Sequence, residues 1–336
     1  MTRLLFLLLT LPLFLISPCS AQPFKLPTNN REILATDGGA ERFYVGVAGK
    51  LWTSGQFGCV RSGGYQLHEG LDIRPIDRDK RGEPKDNALC VANGTVAYVN
   101  TRSQLSNYGN YIVVRHQINR IEVFTLYAHL ASISPQLKSG SNVSQGDPLG
   151  VVGRTSNTRQ RITLDRAHLH FEINFMANAK YSQWHASRMV GTRNDHGTFN
   201  GRNLLGIDPS AVLRNQTPAS PSFDLARHLG TLPELCRVLV RKSSVDWVKR
   251  NPGAVRSNPN ASHDPIAGWE LALGFNGVPL HATPRTRSEL TKVSNNLLSV
   301  NSEVAQAHPC GKLVVRHGQF WSLTPKGTYQ LDLLGF

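Results

Sequence analysis

Three short segments carry side chains that could do chemistry together: Leu67-His68-Glu69-Gly70-Leu71-Asp72, Tyr127-Ala128-His129-Leu130 and His168-Leu169-His170-Phe171-Glu172-Ile173. Imidazole and carboxylate are the donors that protein zinc sites use, and a spare imidazole beside a metal suits proton transfer. The first segment has the outline of the helical motif H-E-x-x-H, but Asp72 stands at its last position and Gly70 weakens any helix. On an extended strand, residues four apart share a face yet lie about 13 Å from one another. That is too far for one metal held by bonds of about 2 Å. His68 and Asp72 can therefore meet only where the chain bends, and Gly70 can supply the bend.

In the second segment the alternation is strict. Leu169, Phe171 and Ile173 fall on one face of a strand; His168, His170 and Glu172 fall on the other. Two imidazoles about 6–7 Å apart on one strand face can point into a common site. Both could bind one metal, or one could bind while the other works on a water. His129 adds an imidazole where an apolar strand gives way to a loop. A lone His-x-His is more often a pair of surface histidines. The set of three segments is what points to a metal.

The elements that must position these side chains read as short strands. Between Leu51 and Leu213 apolar runs such as Thr95–Val99, Tyr111–Val114, Glu122–Tyr127 and Leu169–Ile173 alternate with turn clusters such as Asn107-Tyr108-Gly109-Asn110. This pattern predicts an antiparallel, mainly β unit. Residues 22–55 form an N-terminal segment without nameable chemistry, 56–215 the β unit, 216–222 a linker and 223–336 a second C-terminal domain. The tryptophans of that last region, Trp247, Trp269 and Trp321, sit in apolar surroundings and read as core, not as platforms for sugars.

Arg3 followed by the apolar run Leu4–Ile16 and the small residues up to Ala21 reads as a secretory signal peptide over 1–21. The run is short for a membrane span, which needs about 20 residues. An exported protein, periplasmic or extracellular, is expected. Export makes disulfides permissible for Cys59, Cys90, Cys236 and Cys310. The long gap between the second and third favours Cys59–Cys90 and Cys236–Cys310, one staple in each half, with free buried thiols as the alternative. The net charge of +14 reads as ordinary solubility charge or as suited to an anionic polymer such as a cell wall. Nucleic acid is not expected, because no dense basic patch or binding motif accompanies the charge.

The order His68-x-x-x-Asp72, Tyr127-Ala128-His129-Leu130, His168-x-His170-Phe171-Glu172 resembles that of the lysostaphin-type zinc metallopeptidases, the LytM family. Gly94-Thr95-Val96, Tyr108-Gly109-Asn110 and Gly146-Asp147-Pro148-Leu149-Gly150 also resemble that family's connecting pattern. The resemblance implies a compact β-sheet domain with a groove, and hydrolysis of peptide bonds in peptidoglycan cross-links. It implies zinc ligands His68, Asp72 and His170, with His129 and His168 as the catalytic pair. Three protein ligands would leave a zinc position open for a water, whose pKa the ion lowers toward about 7.

Two charged inserts depart from the family pattern, Asn157–Ala167 and the stretch from Arg74 to Cys90, and both are expected to wall the groove. Arg159, Arg161 and Arg166 are candidate contacts for an acidic stem peptide, against ordinary solvated loop charge. The leading expectation is an exported zinc endopeptidase acting on peptidoglycan. The alternatives are a wall-bound, non-catalytic partner of other hydrolases and an exported protease of proteins or small peptides.

Overall fold

The computed structural model describes residues 23–159, 161–216 and 223–336. The signal peptide expected over 1–21 and nearly all of the expected linker lie outside the described residues.

β-Branched and aromatic runs separated by turn residues form strands joined by short connections, all pairing antiparallel. In chain order the first twelve are β1 (Gly58–Arg61), β2 (Gln66–His68), β3 (Leu71–Ile73), β4 (Asn87–Leu89), β5 (Gly94–Asn100), β6 (Tyr111–Ile118), β7 (Ile121–Ala128), β8 (Ser132–Ile133), β9 (Asn142–Val143), β10 (Pro148–Val151), β11 (Leu169–Met176) and β12 (Leu204–Ile207). The main sheet runs β12-β11-β7-β6-β5-β9, with β3 also paired to β11. A smaller sheet, β4-β10-β8, packs beside it. The mainly β, antiparallel class expected from the sequence is the one the structure has.

Strand β11 is the keel. On one edge it pairs with β7; on the other it pairs with β3 over its first half and β12 over its second. Its alternation holds: Leu169, Phe171, Ile173 and Phe175 are buried in the main core with Leu71, Ile73, Ile112, Val114 and Tyr127. The opposite face is buried too, under polar groups that bond one another.

The C-terminal region has its own sheet, order β15-β14-β13-β16, from β13 (Cys236–Val240), β14 (Ile266–Leu273), β15 (Pro279–Thr286) and β16 (Leu297–Val300). A hairpin of β17 (Val314–His317) and β18 (Phe320–Leu323) leads into the C-terminal helix Pro325–Leu334. Trp247 and Trp269 are buried and Trp321 is half-buried. One apolar cluster runs from Phe171 and Ile207 through Val238 and Leu271 to Leu334, so both regions share a continuous interior. Polar contacts sew the seam: Arg250 bonds Glu122 and the carbonyl of Met176, and Asn276 donates to the carbonyl of Gly206.

The cysteines correct the expectation from spacing. Cys59 is bonded to Cys310, across the two regions, and Cys90 and Cys236 are free and buried. Spacing along the chain groups the cysteines by halves, whereas the bridge joins the two regions. The tertiary fold brings β1 against the C-terminal region, setting the two Cα atoms 5.4 Å apart. Cys90 instead donates its thiol to the carbonyl of Ala92.

Candidate metal centre

The pairing of β3 with β11 sets Asp72 directly opposite His170, and the β11–β7 register sets His170 beside Ala128, the residue before His129. His68 ends β2, and the chain bends through Glu69 and Gly70 before β3 begins. The bend expected at Gly70 is present, and the glycine has a further reason. A Cβ there would stand 2.3 Å from the carbonyl oxygen of Phe171, so only glycine allows this approach to β11. Across the bend His68 Nε2 comes within 3.1 Å of Asp72 Oδ1.

His68, Asp72 and His170 are all buried, and one ligand atom from each lies within 4.8 Å of the other two. His170 Nδ1 is 3.0 Å and His168 Nε2 3.3 Å from the same Asp72 oxygen. The ring of His129 lies 4.8 Å from that of His168 and 5.8 Å from that of His170, centre to centre. The five residues singled out in the sequence therefore converge on one point.

Each imidazole has its other nitrogen engaged. His68 Nδ1–H donates to the carbonyl of Gln56 at 2.7 Å, His168 Nδ1–H to that of Arg166 at 2.6 Å, and His129 Nδ1–H to that of Thr155 at 2.9 Å. His170 is turned the other way, with Nε2–H donating to Glu172 Oε1 at 2.8 Å. These bonds leave Nε2 of three rings and Nδ1 of the fourth free to face the centre. His129 holds this orientation from a left-handed backbone, φ +62°, an uncommon conformation for a residue with a side chain. Its amide donates to the carbonyl of Tyr108, and Thr155 is pinned in turn through its hydroxyl to the carbonyl of Leu130.

Electrostatics favour a cation here. Burial opposes ionisation of Asp72, but His168 and His68 outweigh it and hold the carboxyl well below its ordinary value. Burial likewise opposes charge on Glu172, yet its bond from His170 keeps that carboxyl low. Burial pushes His68 down, and it pushes His129 well down with help from His168 and His170, so both rings favour the neutral form. His170, though buried, is pushed up to about 9 by hydrogen bonds to Asp72 and Glu172. A divalent ion at this point would meet the neutral ring of His68 and the ionised carboxylate of Asp72, and it would displace the Nδ1 proton of His170. The donor set fits zinc.

Three residues at the site were not assigned roles from the sequence. Arg61 bonds Asp72 Oδ2 at 2.7 Å. Its reach depends on the β1–β2 hairpin, in which Arg61 pairs with Gln66. Glu172 was placed on the correct strand face without a role. It accepts from His170, from Tyr108 Oη at 2.7 Å and from Asn174 Nδ2 at 2.7 Å. In the sequence Tyr108 belongs only to a connecting pattern. Burial and the neighbouring Glu172 push its hydroxyl well above the usual range, so it stays a proton donor to that carboxylate.

The centre opens into a groove of about 1560 Å³. Its walls include Lys50 and Ser54 of the N-terminal segment, Thr158 and Arg166 of the first charged insert, and Tyr329 of the C-terminal helix. Arg159 and Arg161 are not among its lining residues. Nor does the second insert wall the groove. It props the first one from behind, as Arg78 donates to the carbonyl of Leu164 and Glu83 pairs with Arg154 at 2.7 Å.

Among solved structures, the catalytic domain of lysostaphin from Staphylococcus simulans is 18% identical, covering 48% of this chain and 87% of its own, with a TM-score of 0.27. CbpA from L. salivarius REN is 23% identical, covering 49% and 86% respectively, with a TM-score of 0.30. Csd3 from Helicobacter pylori is 21% identical over 32% of this chain, with a TM-score of 0.24, and the match spans only 23% of that protein's length. No curated protein matches this chain. Residues 66–182 match the family described as Peptidase family M23, a stretch that holds all five converging residues. The lysostaphin-type resemblance seen in the sequence therefore holds over residues 66–182.

Proposed function

We propose that this chain is an exported zinc-dependent endopeptidase of peptidoglycan cross-link peptides, with its catalytic unit spanning about residues 56–215. The observation that carries the reading is the convergence of His68, Asp72 and His170 within 4.8 Å, with two more imidazoles aimed at the same point. His68 Nε2, Asp72 Oδ1 and His170 Nδ1 would hold the ion. Zinc, when bound, acidifies a water and polarises a scissile carbonyl.

The remaining work falls to the protein. His129, neutral because it is buried among imidazoles, offers Nε2 to accept a proton at the groove side of the centre. Thr155 keeps that ring from turning. His168 presents Nε2 from the same side, placed to stabilise charge that develops on the substrate. Arg61 occupies Asp72 Oδ2 and so leaves Oδ1 to the centre. No helix among the described residues is long and apolar enough to cross a membrane.

The direct test is incubation of the mature chain plus zinc with purified peptidoglycan, with mass spectrometry of the released fragments and a His170→Ala control. Shortened cross-link peptides absent from the control are the expected result. Retained zinc with no release would favour a non-catalytic wall partner, and cleavage of soluble protein alone would favour a general protease.

A further inference from the structure

The C-terminal region has no role in the reading above, yet one face of its last helix borders the groove. Lys326, Tyr329, Gln330 and Leu333 recur at helical spacing and all four line it. The helix is fixed there. Asn178 donates to the carbonyl of Leu333 at 2.9 Å, Trp184 Nε1 and Arg188 both bond Asp332, and the Cys59–Cys310 bridge anchors the chain ahead of the β17–β18 hairpin that leads into it.

The chemistry of this face is one-sided. Lys326 is exposed and gives one hydrogen to the carbonyl of Gly311 at 2.7 Å, which leaves its other donors without a protein partner among the described residues. Gln330 Nε2 is buried and has no hydrogen-bond partner among the described residues. Tyr329 is 48% exposed, with its ring edge-on to Trp184. Elsewhere on the groove Lys50, Arg166 and Arg202 form no ion pair among the described residues. The carboxylates lining it are Glu69 and Asp72, and Asp72 is already held by Arg61. Cations in excess of anions call for a ligand that carries negative charge.

We propose that this face of the C-terminal helix is a substrate subsite for a carboxylate-bearing peptide segment. Lys326 bonds the carboxylate, and Tyr329 packs against the adjoining backbone. The inference rests on the peptidase reading and gives residues 325–333 a place in the catalytic groove.

The test measures binding apart from cleavage. A short stem peptide with free carboxylates and its carboxamide counterpart are titrated calorimetrically into zinc-loaded His129→Ala protein. The acidic form should bind about 3- to 10-fold more tightly, the range of a charge-assisted bond at a partly exposed site. Adding Lys326→Gln should erase that preference, Lys326→Arg should keep it, and Tyr329→Ala should weaken both peptides alike. Equal affinity for the two peptides, no measurable binding of either, or an unchanged preference in Lys326→Gln would overturn the subsite. Turnover of the acidic peptide by the unmutated chain is scored separately. Preference without cleavage would sink the peptidase reading alone, and cleavage without preference the subsite alone.

Discussion

Every imidazole of the centre has one nitrogen committed to a protein acceptor, and that commitment decides what the other can do. For His170 the acceptor is a buried carboxylate, Glu172, itself tied to Tyr108 and Asn174. A carboxylate behind a ligand histidine fixes its tautomer and raises its basicity, so Glu172→Gln should lower zinc affinity by about 10–100-fold while the fold persists. Competition against a chelator of known affinity measures this, and an unchanged dissociation constant would remove Glu172 from the site's support. His170→Ala should abolish stoichiometric zinc, because a histidine and a carboxylate alone hold the ion poorly. His129→Ala should keep the zinc and slow hydrolysis by about 10²–10⁴-fold. Metal analysis beside a turnover assay separates the two, and equal zinc loss in both variants would overturn the assigned division. At this scale the ligand-type residues were legible because their types and spacing are local. Arg61 was not, since no sequence signal says which carboxylate a hairpin arginine will reach.

Strand β6 carries a buried histidine outside the centre whose consequence is stability. His116 is 2% exposed and bonded to the carbonyl of Asn93 and the hydroxyl of Thr125. Burial depresses it to about 4, only partly offset by its bonds to backbone carbonyls. The folded chain therefore holds the neutral ring, while the unfolded chain protonates near pH 6.5. Its contribution is complete above about pH 6.5 and is lost as pH falls toward 4, amounting to about 3 kcal/mol. Denaturant unfolding followed across that range should show the loss, and a flat profile in this window would contradict it. The strand pattern itself was readable, since β11 alternates as its residues require. The register was not. Opposition of Asp72 to His170 depends on β3 choosing β11, a pairing between segments far apart in sequence.

The bridge between Cys59 and Cys310 spans 251 residues and ties the hairpin bearing Arg61 to the region that ends in the groove-lining helix. Chain-entropy arguments give a closed loop of that size about 5.5 kcal/mol, with typical values of about 2–4. Reduction should lower the melting temperature, and mass spectrometry of unreduced digests should find peptides of Cys59 and Cys310 linked. Cys90 and Cys236 should alkylate only after unfolding, because burial raises their thiols to about 11 and about 12. A Cys59–Cys90 link would contradict the structure.

The sequence by itself determined the antiparallel β class, the alternating face that carries His168, His170 and Glu172, the bend demanded between His68 and Asp72, and the family resemblance. All of these are local: side-chain type, period-two alternation and turn chemistry act over a few residues. The tertiary structure alone decided the cysteine partners, the seating of Arg61 on Asp72, the position of the second charged insert behind the first and the contribution of the last helix to the groove. These depend on which distant surfaces pack together, and apolar burial drives that packing without marking the partner in either segment.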